Sequence, residues 1–506
     1  MNLPIQSILT LGSHGIVIDT ECQLSNGLPI ITIVGLVNKA IDEAKDRIRS
    51  SFASAGIAMP KKRITINLAP ADIPKESTSL DLAIATAILQ AGGLTILRLQ
   101  TDMVFIGELG LNGDVRAVRG IIGKLLCAKE NGLTTCFIPH ANLSQATLVP
   151  GLQLIPLKTV QELYAGLNGQ QTLTVSPSGN ADELGSLTQW TGPFMSEVVG
   201  QTRAKRALEI AAAGGHNILL NGSPGTGKSM LAQSLPSILP PLTQNEMLEV
   251  THVHSLVSGD YESLITKRPF RAPHHSASYL SIVGGGSQLR PGEMSLAHRG
   301  VLFFDELPEF ARSTLESLRQ PLENRTVTVT RIKNSAEYPA NFILVATANP
   351  CPCGYYGTPK PCICPPHRVS QYRQKLSGPI LDRIDLYIDV EEVVHEQLLT
   401  STTGDHDAAI RARVAQARSI QRTRYTSEKL NAEMTNQDIR TSAKLTDPAR
   451  DILNKAAKAL DLSARSYMRL IKLGRTIADL ENSEAIEITH ITEALQYRPQ
   501  RPDLLA

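Results

Sequence analysis

The chain has 506 residues, enough for two to four domains with their own cores. Hydrophobic residues make up 42% and charged residues 19%, the balance of a soluble globular protein. A net charge of only +2 argues against a protein that coats DNA through bulk charge, so any nucleic-acid site has to be local.

No apolar run reaches the length of a membrane span. Residues 1–6 (MNLPIQ) lack the basic start of a signal peptide. The expectation is a cytoplasmic protein with no membrane partner. Seven cysteines in so long a chain do not suggest a disulfide scaffold.

Residues 1–165 mix strands and helices. Stretches 27–34 and 63–68 read as strands, and 39–55 and 80–91 as helices by apolar spacing. Residues 166–193 turn rich in Gly, Ser, Thr and Gln and read as a linker.

From 194 to 394 strand and helix patterns alternate, as in a nucleotide-binding α/β layer. A strand ending at 218–220 leads into Gly222–Ser229 (GSPGTGKS), which fits G-x-x-x-x-G-K-[ST] at every position. Residues 230–239 follow with helical spacing. Such a loop places backbone N–H groups at a helix N-terminus, facing phosphate oxygens. Gly222, Gly225 and Gly227 allow its tight path. Ser223, Pro224, Thr226 and Met230 complete the nucleotide-binding stretch. Lys228 reaches the β- and γ-phosphates, and Ser229 can hold Mg²⁺.

Residues 300–304 (GVLFF) read as a buried parallel strand. Asp305 emerges at its carboxyl end, where ligands bind in such sheets, to serve the Mg²⁺ shell, and Glu306 is placed to polarise water. A second buried strand, 342–348, ends at Asn349, which can orient that water. Arg383 suits stabilisation of the phosphoryl transition state and can come from a neighbouring subunit, while Arg465 opens a helix that could cover the nucleotide. Without their context, a surface salt bridge is the plainer reading of either arginine.

Cys351, Cys353, Cys362 and Cys364 form two C-x-C pairs around a Gly/Tyr/Pro-rich loop. Four thiolates can close a tetrahedral Zn²⁺ site, although the spacing is tighter than the usual C-x-x-C. Four reduced thiols are the alternative. Cys22, Cys127 and Cys136 read as core or incidental residues. Residues 395–506 read as helical, with segments at 395–429, 447–460, 464–480 and 488–495.

Together with 270–275 (FRAPHH), 284–286 (GGG), 291–298 (PGEMSLAH) and 381–385 (LDRID), the ATP-site residues resemble the ComM/YifB family of magnesium-chelatase-like AAA+ ATPases. The resemblance covers nearly the whole chain. It implies an α/β fold: an AAA+ P-loop core with a C-terminal helical lid, preceded by an α+β Lon-protease-like (ribosomal S5 domain 2-like) domain. By that match Lys228 and Ser229 are Walker A residues, and Asp305 and Glu306 are Walker B. Asn349 resembles sensor 1, Arg383 an arginine finger and Arg465 sensor 2. Proteins of this family form hexamers that drive branch migration of recombining DNA and are linked to natural transformation.

The resemblance also gives two insertions, 267–275 and the hairpin-like 325–333, a place in the central pore of a homo-hexamer. Lys267, Arg268, Arg271, Arg331 and Lys333 are then candidates for contacting single-stranded or branched DNA through its phosphates. A solvated charged face is the plainer reading of the same residues.

Residues 107–115 (GELGLNGDV) match the Lon pattern G-E-x-x-L-x-G-x-V, and 124–128 (KLLCA) match its continuation. Lon's catalytic lysine position falls on Ile122, with Lys124 two residues too late. Ser77, Thr78 and Ser79 lie near the serine position. A serine without a base stays an unactivated hydroxyl, so the expectation is a Lon-like fold without peptidase chemistry, used for assembly or DNA contact.

The sequence therefore points to an ATP- and Mg²⁺-dependent hexameric DNA motor. One alternative is a chelatase-like ATPase that remodels a protein partner without DNA. Another is an ATP-dependent protease, against which Ile122 speaks.

Overall fold

The structure, a computed structural model, describes residues 3–12, 14–36, 38–75, 77–96, 99–178, 190–286, 289–330, 335–376, 378–393 and 406–499. The chain forms two compact units that are interleaved in sequence. The first contains the described residues of 1–187, 243–266 and 330–338, and the second those of 188–242, 267–329 and 339–506.

The first unit is built on an eight-stranded mixed sheet among the described residues. Its strands are β1 (Ile5–Leu11), β2 (His14–Ser25), β3 (Ile31–Val34), β4 (Arg63–Ala69), β5 (Met103–Phe105), β6 (Thr135–Pro139), β7 (Gln153–Leu157) and β8 (Ser176–Pro177), in the order β8-β7-β6-β5-β1-β2-β4-β3. β1 and β2 form an antiparallel hairpin, in register from Ile5 opposite Thr20 to Leu11 opposite His14.

Alternating side chains send two apolar layers to opposite faces. Ile5, Leu9, Ile64 and Ile66 pack with Ile48 and Phe52 of α1 (Ala44–Ser54) and with α2 (Asp81–Ala91). Ile8, Val104 and Ile106 pack with Ile121, Ile122 and Leu125 of α3 (Ile121–Glu130).

Helix Gln244–Ser255 belongs to this unit and covers α3. Gly123 lets it close in, because a Cβ there would lie 2.5 Å from the His252 ring. Gln145 Nε2 donates to Ser263 O at 3.1 Å in the same returning segment.

The second unit holds a five-stranded parallel sheet among the described residues: β9 (Ile218–Asn221), β10 (Phe270–Arg271), β11 (Val301–Phe304), β12 (Ile343–Ala348) and β13 (Leu386–Asp389). Their order is β10-β11-β12-β9-β13. β11 and β12 are buried at every residue, as strands covered on both faces must be, which explains their unbroken apolar runs. Helices α4 (Thr202–Gly214), α5 (Lys228–Ile238) and α6 (Pro366–Gln374) accompany the sheet.

Helices α7 (His406–Tyr425), α8 (Asp447–Ala459), α9 (Ala464–Leu480) and α10 (Ile488–Gln496) make the C-terminal helical region. Ser463 caps α9 by accepting from Ser466 N at 3.2 Å. Inside this region Asp479 accepts from Arg424 Nη1 at 2.8 Å, Asn431 Nδ2 at 2.8 Å and Arg475 Nε at 3.1 Å.

Most expected elements are present, with local differences. The helix expected at 39–55 is split at Glu43 into Lys39–Asp42 and α1. The linker-like composition begins inside folded structure: helix Val160–Leu167 runs into it, and β8 pairs with β7. Of the helix expected at 395–429, residues 406–425 form α7, and 426–429 turn out of the helix. The described residues of 243–266 and 330–338, which lie within the ATPase stretch of the sequence, fold with the first unit.

Candidate active site

The phosphate loop connects β9 to α5 at the carboxyl edge of the parallel sheet. Gly225 and Gly227 sit at φ +84° and +86°, a left-handed backbone that other residues rarely adopt. A Cβ on Gly222 would come within 2.5 Å of Val390 O, so the loop lies directly on the chain leaving β13.

Lys228 Nζ donates to Gly222 O at 2.7 Å, Ser223 O at 2.8 Å and Asn349 Oδ1 at 3.2 Å. Burial lowers its pKa, opposed by the charges of Asp305 and Glu306. Ser229 Oγ donates to both oxygens of Asp305, at 3.2 and 3.1 Å. This hydroxyl–carboxylate pair is an all-oxygen donor set of the kind that suits Mg²⁺. Asn349 Nδ2 reaches Glu306 Oε1 at 3.4 Å. Lys228, Ser229, Asp305, Glu306 and Asn349 thus converge from three separate stretches of chain.

Sequence reasoning missed Thr347. Its Oγ1 donates to Asp305 Oδ1 at 2.6 Å and accepts from Glu306 N at 2.8 Å, fixing both acids. The available signal was one hydroxyl in the otherwise apolar β12. Beside the loop lies a cavity of about 550 Å³, lined in part by Gly222, Ser223, Asn349, Tyr356, Tyr372 and Val390.

Arg383 and Arg465 come together elsewhere. Arg383 pairs with Glu323, and Arg465 Nη2 lies 2.7 Å from the same Glu323 oxygen. Hydrogen bonds from Arg383 and then Arg465 hold the Glu323 carboxyl below its usual pKa. Both arginines line a cavity of about 400 Å³ with Arg325, Arg469 and Lys472.

The DNA candidates divide. Arg268, 8% exposed, donates to the carbonyls of Pro240 at 2.6 Å, Arg299 at 2.7 Å and Pro241 at 3.2 Å. Arg271 makes a bidentate pair with Glu293, at 2.5 and 2.6 Å, which raises its pKa. Both guanidinium groups therefore hold the protein's own structure together. Lys267 is exposed. Thr326–Thr330 is a strand, as the alternation at 325–333 implies, while Arg331 and Lys333 lie outside the described residues.

The four cysteines gather. Their sulfurs all lie within 4.8 Å of one another. The sulfurs are 3.4 Å apart for Cys351–Cys353, 3.7 Å for Cys351–Cys362 and 3.6 Å for Cys353–Cys362. A tetrahedron with Zn–S bonds of about 2.3 Å has edges of about 3.8 Å. The thiols are therefore already near the spacing such an ion would impose.

In the first unit, the expected separation of Lys124 from the serine needs correction. Lys124 Nζ donates to Ser79 Oγ at 3.1 Å and to Ile8 O at 2.7 Å. Residues 122 and 124 lie about 200° apart around a helix. α3 is turned so that Lys124 meets the serine and Ile122 enters the core. A potential base is therefore present, but Ser79 and Lys124 are each 1% exposed.

No helix among the described residues is long and apolar enough to cross a membrane. A family model described as magnesium chelatase, subunit ChlI, matches residues 194–398. Subunit ChlI of Mg-chelatase matches 20–142, and the subunit ChlI C-terminal model matches 404–498. Competence protein ComM of Haemophilus influenzae is 41% identical over 497 residues, covering 98% of this chain and 97% of that protein. The YifB protein of Escherichia coli is 40% identical over 492 residues, covering 96% and 95%. The Lon protease of Buchnera aphidicola is 27% identical over 165 residues, 30% of this chain and 21% of the protease.

Proposed function

This chain belongs to the ComM/YifB family of magnesium-chelatase-like AAA+ ATPases, and from that premise we propose that it is an ATP-dependent hexameric DNA motor. It drives branch migration of recombination intermediates during natural transformation, in the cytoplasm. The observation that carries the reading is the convergence of Lys228, Ser229, Asp305, Glu306 and Asn349, while Arg383 and Arg465 gather at Glu323.

The phosphate loop and Lys228 hold the triphosphate. Ser229 and Asp305 would hold Mg²⁺, which when bound neutralises charge on the β- and γ-phosphates. Glu306 polarises the attacking water, and Asn349, bonded to both Glu306 and Lys228, orients it. Arg383 and Arg465, kept side by side by one carboxylate, are delivered together to the nucleotide of the next subunit. The cysteine cluster supports Zn²⁺ as a second resident ion. The first unit serves assembly or DNA contact without peptidase chemistry.

With ATP, the purified protein is expected to convert a labelled four-way junction into its arms, and Lys228→Ala to leave the junction intact. Absence of ATP-dependent DNA remodelling by the wild-type chain would remove the motor reading. The internal bonds of Arg268 and Arg271 favour a second reading, an ATPase that remodels a protein partner without DNA. Stimulation of ATP hydrolysis by DNA separates the two.

A further inference from the structure

We propose that the four-cysteine loop, with Zn²⁺ bound, is a brace for the phosphate loop, so that zinc occupancy sets how tightly the site holds ATP. This rests on the zinc and ATP readings above. Three contacts tie the cysteine loop to the nucleotide site. First, Cys351 follows Asn349 by two residues, so the metal would anchor the chain next to the amide that touches both Lys228 and Glu306. Second, Gly354, at φ +83°, lies flat against Pro224 of the phosphate loop, and a Cβ there would collide with the proline ring. Third, Lys360 pairs with Glu392 at 3.0 Å, and Ser223 Oγ of the phosphate loop donates to the same Glu392 oxygen at 3.4 Å.

Apart from these ties, the cysteine loop is ordered by local turns and single side-chain contacts. Residues 351–365 contain neither helix nor strand, and Ile363 is 84% exposed. Tyr356 N donates to Cys351 Sγ at 3.3 Å, and the Arg373 guanidinium lies 4.8 Å over the Tyr356 ring. Such local contacts, together with the turns Gly354 N to Cys351 O at 2.9 Å and Thr358 N to Tyr355 O at 3.2 Å, have to offset the conformational entropy of a fifteen-residue segment without helix or strand. Zinc bonded to four thiolates supplies that ordering free energy directly. A loop ordered by metal presents Gly354 to Pro224 in one position; a loose one does not. Because coupling between two binding sites is reciprocal, bound ATP should also raise the affinity for zinc by the same factor.

The test uses the full-length protein. Zinc per protomer is measured by elemental analysis, and affinity by titration with a fluorescent ATP analogue in Mg²⁺. Stripping zinc with a thiol-displacing reagent and chelator should weaken the analogue by about tenfold, and re-addition of thiol and zinc should restore it. Cys362→Ser, remote from the phosphate loop in sequence, should do the same. Gly354→Ala keeps all four thiols and covers the case in which a cysteine variant fails to fold. It should retain zinc and still bind the analogue about tenfold more weakly. Zinc retained in Gly354→Ala with unchanged ATP affinity, or zinc removed from the wild type without effect, overturns the coupling. A purified wild-type chain with reduced thiols and no zinc overturns the metal reading, and leaves the ATP site to be judged separately by Lys228→Ala.

Discussion

Glu306 sits at φ +53°, a left-handed backbone that costs a non-glycine residue about 1–2 kcal/mol. The bond from its own N–H to Thr347 helps to hold it there. That bond is independent of the side-chain charge, so Glu306→Gln should keep the turn and keep ATP bound. Losing the group that polarises water should lower hydrolysis by about a hundredfold or more. Single-turnover kinetics with a parallel binding measurement checks both halves.

Lys124 carries a different kind of information. Burial pulls its pKa from 10.5 to about 7. Between those values the lysine is neutral when folded and charged when unfolded, so the unfolded chain binds the extra proton. This group therefore makes the first unit more stable as pH rises from 7 towards 10 and less stable as it falls back to 7. Lys124→Met should flatten that slope in denaturant unfolding followed at several pH values. An unchanged slope would show that Lys124 is charged in the fold.

At the scale of elements, the helical region is pinned around Asp479. Removing that carboxylate leaves Arg424 and Arg475 without their shared anion, so Asp479→Leu should cost about 3–5 kcal/mol. The loss would appear as a lower unfolding midpoint of the second unit.

The same scale explains what the sequence showed and what it hid. The phosphate loop and the Asp305–Glu306 strand end were legible because strand, turn and helix signals lie within a few residues of each other. Arg268 and Arg271 were not, since their partners at Pro240, Arg299 and Glu293 are 22 to 31 residues away. A cation in a loop looks the same whether it faces phosphate or a carbonyl. The Ser79–Lys124 contact spans 45 residues, and the rotation of α3 about its axis decides it. The Lon-like fold was legible from the 107–115 motif, while the side chain facing Ser79 was not legible from motif spacing.

At the scale of the molecule, the interleaving of the two units has a direct consequence for fragments. A chain ending at residue 187 lacks helix Gln244–Ser255 and Ser263, and so exposes the face of α3 around Gly123. That fragment should bind a hydrophobic dye and melt below the temperature at which the same unit melts in the full chain. Equal melting temperatures would show that the returning segments add no stability. Local composition gave no hint of this arrangement, because nothing in 243–266 states which core its apolar residues will join.

The return of residues 330–338 also sets an order of events during synthesis. Most of the first unit is made by residue 187, yet it cannot be completed until residue 338 has been added. From residue 187 that is roughly 8 to 30 seconds of translation at ordinary bacterial speeds. Through the first part of that interval the sheet already has all its strands while α3 waits for the helix Gln244–Ser255 to cover it, and residues 335–338 arrive only after the phosphate loop and the Asp305–Glu306 strand have been made.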